Sequence, residues 1–154
     1  MDDLVQFLRA RLDEDEQIAR IGDADEPPLA WRQIGGTGVI VASDGKRAEE
    51  CANGNWAGIA ERIVRHDPAR VLAEVDAKRQ IVELHGIVHR EIGWLADGEE
   101  KHGEIPVCGL CVPKHAHYQR RDDVPEGACR TLRPLALPYA DHPDYREEWR
   151  PSDG

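Results

Sequence analysis

Three cysteines in the last third of the chain have the residue type and spacing of a metal site. Cys108 and Cys111 are separated only by Gly109 and Leu110. Such a knuckle lets two thiolates face one ion while nearby backbone amides hydrogen-bond the sulfurs. Cys129 follows after 17 intervening residues, a separation found between the halves of zinc sites. Three thiolates leave one tetrahedral position, and histidine is the usual fourth donor. The candidates are His85, His89, His102, His115 and His117. His85 is preferred. It shares a helical face with Val75 and Val82, so it should point inward and clamp the long segment that follows. His115 and His117, close to the knuckle in sequence, are the main alternatives. Cys51 lies far off in a polar stretch and falls outside the group.

Other chemistries fit these cysteines less well. A thioredoxin-like redox pair needs a helix start after a strand, and Pro113 follows too closely. Inert buried thiols would not need the knuckle spacing. Elsewhere, His66-Asp67 reads as a helix start because Asp67 can cap and Pro68 is tolerated at the first helical position. Glu74, Asp76 and Lys78 resemble a nuclease pattern but splay apart on a helix. Gly35-Gly36-Thr37-Gly38 lacks the Lys-Ser/Thr of a phosphate loop and reads as a hairpin turn. No catalytic constellation stands out. Two functional expectations follow. The first is a small structural-zinc protein that acts as an interaction or regulatory module on another protein. The second is a metal-dependent hydrolase or nuclease, which would need an open zinc position.

The elements that must position the cysteines read as an α+β fold. It is a mainly helical single domain over residues 1–150, with a small antiparallel ribbon, a zinc-clamped carboxy-terminal segment and a tail at 151–154. Leu4, Val5, Phe7, Leu8 and Leu12 form the stripe of an opening helix. Two or three short strands are expected between Trp31 and Ala42, and a short helix over Ile59 to His66. Trp56 is expected to pack inward. The longest helix is read from Asp67 to about His89, and Gly93 to Gly127 as an irregular stretch tied down by metal. Cys129 to Tyr139 reads as a short helix disturbed by Pro134, with a last helical turn ending at Trp149.

Composition narrows the partners. Acidic residues outnumber basic ones by 30 to 20, for a formal net charge of -10. Such a surface repels phosphate backbones, which argues against nucleic acid and against docking on anionic membranes. Asp2 and Asp3 stand where a signal peptide would be basic, and no run is long enough to span a bilayer. The expectation is a cytoplasmic protein whose thiols stay reduced.

Three stretches carry a resemblance. They are Met1 to Glu16, His66 to Arg79, and Thr131-Leu-Arg-Pro-Leu-Ala-Leu-Pro-Tyr-Ala-Asp-His-Pro-Asp-Tyr145. Together they resemble a family of short actinobacterial and actinophage proteins of unknown function. Members of that family typically carry a two-residue-spaced cysteine pair and a third cysteine just before Thr-Leu-Arg, matched by Cys108, Cys111 and Cys129. A histidine often stands where His85 does. The pattern puts proline after the third cysteine, where this chain has Arg130. The resemblance implies an actinobacterial host and a phage connection, and no activity.

Overall fold

Positive backbone φ at two successive residues, Asp97 (55°) and Gly98 (79°), marks a tight hairpin turn at the centre of the chain's longest strand pair. This and the other elements come from a computed structural model, which describes residues 2–21, 30–43, 48–125 and 129–151. The chain divides into two compact units. One comprises Met1–Leu12 with Lys78–Gly154, and the other Asp13–Ala77. The opening helix α1 (Asp2–Ala19) buries Leu4, Val5, Phe7, Leu8 and Leu12, as its apolar spacing predicts.

In the Asp13–Ala77 unit, β1 (Ala30–Gln33), β2 (Val39–Ser43) and β3 (Ala48–Asn53) form an antiparallel sheet in sequence order. The register of β2 against β3 shifts between Ile40 and Val41. Both of these neighbours are buried, which plain alternation would not allow. The glycine-rich stretch is the β1–β2 turn, with Gly35 at φ +56°. Helix α2 (Ala57–Arg65) follows and buries Ala60. Trp56, expected to pack inward, is 74% exposed.

Helix α3 (Pro68–Leu84) begins where Asp67 accepts a hydrogen bond from the Arg70 amide at 2.9 Å. Val75 and Val82 are buried and Leu72 is half-buried, so the helix phase agrees with the sequence pattern. The helix stops at Leu84, short of the expected His89. Gly86 and the β-branched Ile87 and Val88 turn the chain into a strand.

In the larger unit, β4 (Ile87–Ala96) and β5 (Glu99–Cys108) form the hairpin around Asp97–Gly98, and β6 (His117–Tyr118) pairs parallel to β4. The strand order is β5-β4-β6. One face carries Ile92, Ile105 and Val107, buried with Val112 and Val124; Trp94, Ala116 and Tyr118 pack against them. Helix α4 (Arg133–Ala136) leads into a 3-10 turn at Leu137–Tyr139, and a last 3-10 turn spans Glu147–Trp149. Phe7 touches the rings of Tyr139, His142, Tyr145 and Trp149, the last at 5.0 Å between centroids.

The mainly helical expectation is therefore corrected. Among the described residues, four α-helices accompany six strands in two three-stranded sheets. Much of the error lies in residues 93–108, read as irregular because Gly93, Gly103 and Pro106 break the pattern. Residues 93–96 and 99–108 belong to strands, joined by the Asp97–Gly98 turn. Among the described residues, no helix is long and apolar enough to cross a membrane. Residues 152–154 of the expected tail lie outside the described ones.

Candidate metal centre

The hairpin explains how residues 23 positions apart meet. Ile87 pairs with Cys108 at the open end of the ladder. His85 lies two residues before Ile87, in the turn that closes α3, where its amide bonds the Ile81 carbonyl at 3.1 Å. The Gly109 amide then bonds the Gly86 carbonyl at 2.8 Å, tying the knuckle to the end of the helix. A Cβ on Gly109 would lie 3.2 Å from Val88 Cγ1 and 3.3 Å from the Gly86 oxygen. The site is thus assembled by strand register, not by a helical face shared with Val82.

Cys108 is buried at the end of β5, and the Cys111 amide approaches its sulfur at 3.4 Å. Val107 and Val112 flank the knuckle and are both core residues. Arg90, half-buried on β4, donates to the Gly109 carbonyl at 2.6 Å and to the Val112 carbonyl. One guanidinium thus holds the backbone on either side of Leu110-Cys111. Reasoning from the chain alone overlooked Arg90. Its sequence signal is slight: an arginine at an inward position of an alternating strand.

Cys129 precedes a turn whose Leu132 amide bonds the Cys129 carbonyl at 3.1 Å. Helix α4 starts only at Arg133, because Pro134 fits the first turn of a helix and not its interior. The expected helix start at Cys129 is therefore displaced, and no helix dipole acts directly on its sulfur.

The geometry converges on His85. Its Nδ1 lies 3.5 Å from Cys108 Sγ, 3.4 Å from Cys111 Sγ and 3.4 Å from Cys129 Sγ. The four donor atoms all lie within 4.8 Å of one another, a group that could hold a metal ion. With zinc–sulfur and zinc–nitrogen bonds of about 2.3 and 2.0–2.1 Å, a tetrahedron has nitrogen–sulfur edges of about 3.5 Å. The three observed separations match that edge. Hydrogen bonding cannot account for them together, because one ring nitrogen offers a single proton or a single lone pair.

The electrostatics are those of donors gathered for a cation. Burial works to raise the Cys108 thiol, but the Cys111 and Leu110 amides and His85 favour its thiolate and bring it from 9.0 to about 7. Burial, the Cys108 sulfur and the nearby charge of Cys129 push Cys111 up to about 12. Three thiolates cannot ionise side by side without a compensating positive charge.

The remaining candidates are elsewhere. His89 is exposed on β4, His102 on β5 and His117 on β6, and His115 is exposed in a turn before β6. Cys51 is exposed on β3, its sulfur 3.5 Å from the Ile40 carbonyl. No curated protein and no solved structure matches the chain. A family model does, over residues 1–151, and by that match the chain belongs to a family of unknown function, DUF6221.

Proposed function

We propose that the protein binds one zinc ion through Cys108, Cys111, Cys129 and His85, and that this zinc is structural. The observation that carries the reading is the near-equal spacing of His85 Nδ1 from three sulfurs, at 3.4–3.5 Å. A Cys3His donor set is typical of structural zinc, and four protein donors leave no position for a reacting water. This supports a closed site over a hydrolase or nuclease centre. The ion would join the end of α3, the end of β5 and the turn before α4. The protein's task is then to present a surface to another protein. The unpaired state of all four described cysteines supports a reducing compartment. The resemblance of both chain ends to actinobacterial and phage proteins supports a bacterial or phage setting.

Metal analysis with X-ray absorption tests the proposal. About one zinc per chain, in a shell of three sulfurs and one nitrogen, is the expected result. Metal-free protein with unchanged stability, or a shell containing water oxygen, would overturn the structural role.

A further inference from the structure

The hairpin that delivers Cys108 has a second face, opposite the buried one. Strand alternation places His89, Glu91, Gly93 and Leu95 of β4 there, with Glu100, His102 and Glu104 of β5 across from them. The ladder pairs Gly93 with His102 on one side and with His117 of β6 on the other. Two histidines from two strands therefore flank one glycine. The missing side chain is what lets them approach. A Cβ on Gly93 would lie 2.6 Å from Nδ1 and Cε1 of His117 and 3.3 Å from Cε1 of His102. The two rings stand 5.8 Å apart, edge to face.

Glu100 completes the arrangement from β5. Its Oε1 lies 3.0 Å from His117 Nδ1 and 3.6 Å from His102 Nε2. Beside this group, Glu91 and Glu104 stand directly opposite each other in the ladder. Like charges so placed oppose pairing, and a cation would relieve the conflict. With His102 and Gly103 they line a cleft of about 400 Å³.

We propose that His102, His117 and Glu100 form a second metal site, for a first-row divalent cation of the zinc and nickel class. Two imidazoles and a carboxylate suit such ions better than magnesium or calcium, which prefer all-oxygen shells. Glu100 Oε1 is ion-paired with both rings, 3.0 and 3.6 Å from their nitrogens, an arrangement that a cation entering among the three groups would replace. Among the described residues only the cysteine group already has every donor within 4.8 Å, so the imidazoles must swing closer on binding. Side-chain exposures of 46% and 59% leave them room. Three protein donors leave coordination positions for water or an anionic ligand, unlike the closed cysteine centre.

The test is a Ni2+ titration of the full chain already loaded with zinc, followed by NMR and absorbance. The expected result is about one Ni2+ per chain at this face, broadening the resonances of Gly93, Glu100, His102 and His117, with no thiolate charge-transfer band. That band separates this site from the cysteine centre, so the two can fail independently. His102→Asn and His117→Asn should each weaken Ni2+ binding by at least the roughly 10–100-fold that loss of a supporting partner costs a metal site. Gly93→Ala should do the same by displacing the His117 ring. His115→Asn should leave binding unchanged, and Mg2+ should produce no shifts. Because the two substituted histidines are exposed, circular dichroism should stay native. Unchanged affinity in the His102→Asn/His117→Asn double variant, or broadening centred elsewhere, would overturn the site, as would absence of Ni2+ binding.

Discussion

The two sheets solve the same problem with different means. The β1-β2-β3 sheet has strands of four to six residues, and the buried residues of β2 and α2 are Ile40, Val41 and Ala60. The β5-β4-β6 sheet has two strands of ten residues and a larger buried cluster, and its open end, at Cys108, belongs to the group that could hold a metal ion. The longer hairpin nevertheless ends beside an irregular stretch from Gly109 to Ala116, in which Val112 and Ala116 are the residues packed with the core cluster. A small apolar core can hold short strands joined by tight turns. It is a poorer hold on a thiol-rich loop whose amides favour a buried thiolate, and there an ion would be the better staple.

The largest expected effect breaks this comparison directly. Removing zinc with a strong chelator, or replacing Cys129 by Ser, should abolish hydrogen-exchange protection around Cys108, Gly109 and Val112. Protection in β2 should change far less. Structural zinc contributes on the order of 10 kcal/mol to small metal-dependent folds, so the contrast should be plain. Equal loss in both sheets would show that the metal holds more than its own unit.

A smaller effect concerns the cores. Ile92 and Ile40 are both fully buried, and replacing either by Ala should cost about 2–5 kcal/mol. Chemical denaturation of the zinc-loaded protein measures this. Only Ile92→Ala should also make the protein easier to strip of metal, because Ile92 belongs to the cluster containing Val107 and Val112. Arg90 offers a finer probe. Arg90→Ala should weaken zinc binding by about 10–100-fold, read by competition with a chromogenic chelator, while β2 stays unaffected.

The smallest effect is in pH. Zinc requires thiolates, and the metal-free Cys111 thiol is pushed up to about 12. Loading near neutral pH must therefore expel its proton, so affinity should climb with pH and acid should release the metal. Calorimetry in buffers of different ionisation enthalpy counts those protons. In metal-free protein the two thiols act in opposite senses. Cys108 is lowered from 9.0 to about 7, so its contribution is present above 9 and lost as pH falls through 7. Cys111 is raised from 9.0, so its contribution is present below 9 and lost as pH rises toward 12. Thermal unfolding of the metal-free protein should show both trends.

The two regions were not equally legible from residues alone. The knuckle spacing and the third cysteine picked out a group that the fold brings together, and Asp67-Pro68 marked the start of α3. His85 was singled out for a reason that does not hold. It was placed on a helical face with Val82, whereas it lies in the turn beyond the helix, and register with Cys108 brings it to the sulfurs. The β4–β5 hairpin was missed because its outer face carries glutamates, histidines, a glycine and Pro106, which mask the alternation of the inner residues. Asp97-Gly98, a turn pair, lies inside the stretch read as irregular, and the strands it joins went unseen. Turn residues are local, whereas pairing is decided by what lies across the ladder. Trp56 shows the limit of hydrophobicity as a guide: a large apolar ring in a loop has no period to say which way it faces.

The Asp97–Gly98 turn also orders events in time. A hairpin closed by two residues forms in roughly 1–10 μs, well before distant segments find one another. As it zips from Asp97 outward, His85 and Cys108 arrive together, with Cys111 close behind. Three of the four proposed donors would then be assembled by one local event, leaving Cys129 to close over an ion already held. Refolding in the presence of zinc should therefore show a metal-dependent phase that Cys129→Ser slows at its last step alone, whereas replacing Gly98 by a β-branched residue should delay the whole sequence.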